Sequence, residues 1–161
     1  MAFAICAGGG ACTPPPDALA AWWPAEGTPD EAIGNHDGVL RNGATFATGR
    51  VGQAFSFDGQ NDYVEVPDSN LWAFGTNDFS VGLWASLRNV PASTLVNPAA
   101  IFIGQSPGAG NLDKWFFALG GGVLNVHLNG PGPGPRFVAQ AAFNPLTNVW
   151  YHLAFSRSNG V

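Results

Sequence analysis

GQAFSFDGQNDYVEVPDS, residues 52–69, decides the fold class. Phe55 and Phe57 alternate with Ala54 and Ser56, and Val64 and Val66 alternate with Tyr63 and Glu65. A period of two places each set on one face of an extended strand. Between them, Asp58-Gly59-Gln60-Asn61-Asp62 supplies residues that accept positive φ or close Asx turns. The stretch therefore predicts a β-hairpin at a sandwich edge, with strands over 54–57 and 63–66 reversed by an acidic turn.

Outward from this point the same signature recurs. Short extended segments are expected over 19–23, 38–40, 79–87, 99–104, 115–119, 123–128, 136–139 and 149–156, which with the first two makes ten strands. Strands this short and this many imply two sheets, and the 22 Gly and 13 Pro punctuate them. Parallel crossover units are excluded because no helical pattern of about 10 to 15 residues separates the strands. Within 79–87, Phe79, Val81, Leu83, Ala85 and Leu87 share a core face, opposite Ser80, Gly82, Trp84 and Ser86. Leu124, Val126 and Leu128 likewise oppose Asn125 and His127, after a turn at Gly120-Gly121-Gly122. The PGPGP run at 131–135 is a loop, since proline cannot join a ladder.

With 161 residues, 46% apolar and 11% charged, the chain has room for one domain with a real core and is not of disordered composition. Its net charge of -5 is unevenly spread: residues 1–80 hold ten acids and two arginines, and residues 81–161 hold one acid and four bases. No basic stripe with interleaved aromatics is present, which argues against a nucleic-acid partner. No run of about 18 apolar residues offers a membrane span. The acid-rich half suits a hard cation or a neutral polar ligand, and equally ordinary solubility charge on loops. Cys6 and Cys12, separated by a Gly-rich run, could close a small disulfide in an oxidising compartment; four-ligand zinc spacing is missing.

Five blocks carry a family resemblance. AAWWPAEG (20–27), GNHDGVL (34–40), the opening stretch, NDFSVGLWASL (77–87) and WYHLAFSRSNG (150–160) fall in the order found in laminin-G-like, concanavalin A-like jelly rolls of bacterial extracellular proteins. The resemblance implies an all-β jelly-roll β-sandwich of two antiparallel sheets, secreted or at the cell surface, working as one module among other domains of a longer protein. Family members continue past the last strand seen here, so the expectation is a partial domain over 17–161, incomplete at its C-terminus and with unpaired sheet edges. Residues 1–16 read as a leader remnant or a linker ending in the stiff Thr13–Pro16 spacer. Sandwiches of this kind serve lectins, adhesins, hydrolases and spacers alike.

Three chemistries are open to such a scaffold. Hydrolases on this scaffold pair two glutamates about 5 to 5.5 Å apart on a strand face. Glu26, Glu31 and Glu65 are the only glutamates, no E-x-D-x-x-E occurs, Asp113 stands alone in the second half, and no G-x-S-x-G elbow appears, so no enzyme is expected. No cofactor is required, but a structural Ca2+ would find oxygens at Asp30, Asn35 and Asp37 and, in the acidic turn, at Asp58, Asn61 and Asp62. The alternative use of these residues is turn building. A carbohydrate site needs exposed aromatics for the CH faces of sugar rings, with polar neighbours for the hydroxyl edges. Trp22, Trp72 and His36 are the expected ligand contacts; Trp115 is a further possible platform, and core packing is the competing fate of each tryptophan. His127 and His152 alternate with core residues and face solvent or the other sheet. The expected function is non-catalytic recognition of a glycan or an extracellular protein, with a ligand-free spacer or an accessory segment of a secreted glycoside hydrolase as alternatives.

Overall fold

Glycine and turn residues cut the chain into short antiparallel strands. A computed structural model describes residues 16–92, 100–106, 114–130, 132 and 137–159. Among them run β1 (Val39–Arg41), β2 (Thr45–Thr48), β3 (Gln53–Ser56), β4 (Tyr63–Glu65), β5 (Phe79–Ser86), β6 (Ala100–Gln105), β7 (Lys114–Gly120), β8 (Val123–Asn129), β9 (Phe137–Ala142) and β10 (Trp150–Arg157). Among the described residues one 3-10 turn occupies Asn70–Trp72, and every strand pairing is antiparallel. The all-β expectation holds. Cys6, Cys12, Asp113, most of the 1–16 leader and all of the PGPGP run but Gly132 lie outside the described residues. The chain divides into two compact units, Met1–Leu71 and Trp72–Val161.

In the first unit the expected hairpin is corrected. β3 and β4 form, but not with each other: β3 pairs with β2, which places Phe46 opposite Phe55, and β4 pairs with β1, which places Leu40 opposite Val64. Loop geometry explains the choice. Gly49 N–H bonds Gly52 O at 2.9 Å, so a short turn closes β2 onto β3, with Gly52 at φ 56°. Residues 57–62 form a longer loop whose donors turn inward: Gln60 N–H and Asn61 N–H donate to Asp58 Oδ1, and Asp58 N–H donates to Asp62 Oδ2. The shorter closure costs less chain entropy. A tight Asn42-Gly43 turn, with φ of 58° and 120° and Ala44 N–H on Arg41 O, carries the chain from β1 to β2. The strand expected over 19–23 does not form; that segment is tied instead to the following loop, with Ala32 N–H on Trp22 O at 2.8 Å.

In the second unit β6-β7-β8-β9 make a four-stranded sheet, and β5 pairs with β10. Phe117, Val126 and Leu153 are the centre of the core, with Leu83, Ala85, Phe102, Ile103, Leu124, Leu128 and Phe155 packed against them. The apolar faces of β5–β10 and of the four-stranded sheet therefore meet. Phe117 and Phe155 cross edge to face at 5.1 Å between centroids, and Phe155 meets Phe79 at 5.6 Å in the same manner. Each fully buried side chain of this size contributes about 1.5 to 3 kcal/mol of transfer free energy. The period-two reading of 79–87 is borne out along β5, where half-buried and exposed residues alternate without a break. Gly121 and Gly122, both at positive φ, turn β7 into β8.

Candidate functional site

In the loop over 22–38 the backbone is organised by one carboxylate. Glu31 is 7% exposed and accepts from Trp22 N–H at 2.9 Å and Ile33 N–H at 2.7 Å through Oε1, and from Gly34 N–H through Oε2. Burial opposes its ionisation, but the N–H groups of Trp22, Ile33 and Gly34, together with nearby His36, outweigh burial and hold the carboxyl below its ordinary value. His36 Nδ1 lies 3.9 Å from Glu31 Oε2, and the His36 carbonyl accepts Trp23 Nε1–H at 2.9 Å. Asp37 Oδ1 accepts Glu31 N–H at 2.9 Å. The Trp22 backbone, His36 and Asp37 are thus brought together around Glu31, a residue the sequence pattern does not single out. Asp30 and Asn35 are exposed on the same loop.

Asp58 lies in the turn between β3 and β4, its Oδ1 engaged by two backbone N–H groups. Among the described residues no group of three or more His, Cys, Asp or Glu gathers at metal spacing. Trp72 closes the 3-10 turn partly buried, and its carbonyl accepts Trp115 Nε1–H at 3.1 Å. Trp115, 7% exposed, is a core residue and not a platform.

The exposed aromatic surface lies elsewhere, on the outward face of β5–β10. Core residues occupy alternate positions of both strands, so the intervening ones point away from the core. Register sets Trp84 beside His152, with ring centroids 5.3 Å apart at 55°, and Trp150 beside Ser86. Trp84 is 52% exposed and His152 is exposed. Beyond this pair come Gly82 beside Ala154 and Ser80 beside Ser156. None of these eight outward residues is Asp, Glu, Lys or Arg. Sequence reading had put Trp84 on the face opposite the core set, but could not show that its neighbour is His152, 68 positions later. The matching parity of Trp150 and His152 in WYHLAFSR was the signal available.

Packing fixes this face from behind. Leu83 and Leu153, directly opposite each other, turn into the core and lock the two strands in register. At the strand ends Arg157 donates to the carbonyls of Phe74, Gly75 and Asn77 and lies 5.1 Å from the Phe79 ring centroid, which ties the 74–77 turn to β10. Asn159 N–H adds a bond to Asp78 Oδ1 at 2.9 Å. The outward side chains stand on an unbroken eight-pair ladder.

Among the described residues no helix is long and apolar enough to cross a membrane. Comparison with curated proteins and with solved structures returned no match. A family model does match: Laminin_G_3, described as the concanavalin A-like lectin/glucanases superfamily, aligns with residues 58–161, which include β4 to β10 and the aromatic face. The match spans more than half of the chain and agrees with the antiparallel all-β architecture, and the chain belongs to the concanavalin A-like lectin/glucanase superfamily.

Proposed function

We propose that the chain is a non-catalytic recognition module that binds neutral glycan on the outward face of β5–β10, within a two-sheet jelly roll of a secreted or cell-surface protein. The observation that carries this reading is Trp84, half exposed beside His152 on a face without Asp, Glu, Lys or Arg. An indole offers an apolar plane to the CH face of a pyranose, and an imidazole beside it offers ring nitrogens to the hydroxyl edge. The uncharged surroundings favour neutral sugars over anionic polymers. Superfamily membership supports a carbohydrate as the ligand class, though fold alone does not set function.

The carboxylates support a binding role over hydrolysis. Glu65 is engaged by Arg41, whose Nε and Nη2 both lie 2.7 Å from Glu65 Oε2, and Glu31 is enclosed by backbone donors. Neither presents the open pair that glycoside cleavage needs. The test is equilibrium binding to a panel of neutral polysaccharides, with release of reducing ends measured in parallel. Binding that drops about ten-fold or more in Trp84→Ala, with no reducing ends released, is the expected result. Absence of binding across the panel would leave the spacer reading, and polysaccharide cleavage would restore the enzyme.

A further inference from the structure

Taking that glycan-binding reading as its basis, we infer that the ligand is an oligosaccharide laid along β5 and β10, with one ring on Trp84 and the next seated over Gly82 and Ala154. The outward face is graded along its length. At one end stands the Trp84–His152 pair; one step on, Gly82 opposes Ala154 with almost no side-chain bulk; a further step on, Ser80 opposes Ser156 and two hydroxyls face outward. From Trp84 to Ser80 the strand advances about 13 Å at its usual rise, more than a single pyranose covers. A monosaccharide on Trp84 would leave the depression and the serines unused.

The depression is shallow and specific to glycine. A Cβ added at Gly82 would stand 3.5 Å from His152 Nε2 and 3.9 Å from Ala154 Cβ, which is ordinary contact. The strand therefore accepts a methyl there without strain, and its absence lowers the surface between His152 and Ala154. The polar groups follow the same line, with an imidazole at the aromatic end and hydroxyls at the far end, able to bond the hydroxyl edges of successive sugars. Chain length is then the specificity determinant, with neutral oligomers of two or more rings as ligand.

The experiment is isothermal titration of the whole chain with neutral glucose, mannose and galactose oligomers of increasing length from the monosaccharide upward. Affinity is expected to rise about ten-fold or more from one ring to three and then level. Gly82→Val should remove that gain in a protein that still unfolds cooperatively, and the double variant Ser80→Ala/Ser156→Ala should reduce it. Trp84→Ala should weaken every length. Affinity independent of length, or a Gly82→Val protein that keeps the full gain, overturns the inference and leaves the Trp84 site standing. Binding that survives Trp84→Ala, or no binding by any oligomer, overturns both.

Discussion

Glu31 replaces secondary structure over a loop of more than ten residues. Its carboxylate is enclosed by the backbone N–H groups of Trp22, Ile33 and Gly34, and its own N–H is held by Asp37. Glu31→Gln turns one acceptor oxygen into a donor facing those N–H groups. At neutral pH it is expected to lower stability by about 1 to 3 kcal/mol in chemical denaturation. Because the native carboxyl is held below its ordinary value, its contribution is complete above the unfolded value of about 4.3 and is lost as pH falls through the lower native one. The gap between wild type and Glu31→Gln should therefore narrow on acidification, as melting curves at stepped pH would show. Gly38 makes the second demand at this scale: a Cβ there would come within 2.5 Å of Val64 Cγ1 and 3.2 Å of the Pro29 carbonyl. Gly38→Ala is expected to cost about 1 to 3 kcal/mol by overpacking. Asp58 was legible as turn chemistry, since an Asx turn needs only neighbours in sequence. Glu31 was not, because its role depends on Trp22, nine residues upstream. With Asp37 and Asp58 engaged by backbone donors, we propose that millimolar calcium leaves the melting temperature unchanged; a rise that EDTA reverses would contradict this.

Alternation along a strand is a local property, and it was readable; the partner of a strand is a non-local one. Phe55 and Val64 lie on the strands expected from 52–69, yet Phe55 faces Phe46 and Val64 faces Leu40. Thr45–Thr48 went unread because four residues beside an Asn-Gly turn make a weak pattern. Its pairing closes through the short Gly49–Gly52 turn, whereas the 57–62 loop turns its backbone donors onto Asp58 and Asp62. Phe46 and Phe55 stand 5.5 Å apart between ring centroids. A double-mutant cycle with Phe46→Ala and Phe55→Ala should give a coupling of about 0.5 to 1.5 kcal/mol. The corresponding cycle between Phe55 and Val64 should give none; coupling there would restore the single hairpin. β5 was read almost in full, because eight residues of unbroken alternation leave no ambiguity of face.

Across the whole molecule, the sequence conveyed strand content, turn positions and superfamily, while the candidate site emerged only when distant strands were placed side by side. Five of the six tryptophans play distinguishable parts: Trp22 and Trp23 are partly buried in the Glu31 loop, Trp72 and Trp115 share a hydrogen bond, and Trp84 is half exposed beside His152. Sequence alone could not sort them, since an indole on an alternating strand reads the same over a core or over solvent. The core behind β5–β10 depends on Phe117, 2% exposed, and Phe117→Ala is expected to cost about 3 to 5 kcal/mol and to loosen the ladder that carries Trp84. The central claim, that neutral glycan is recognised at the β5–β10 face, is tested most directly by NMR of the indole N–H signals of the wild-type chain during titration with a neutral oligosaccharide. The account predicts saturable shifts at Trp84, with Trp23 and Trp115 unmoved because their N–H groups are held by the His36 and Trp72 carbonyls. Shifts confined to Trp22 or Trp72, or a Trp84 signal that stays still at saturation, would contradict it.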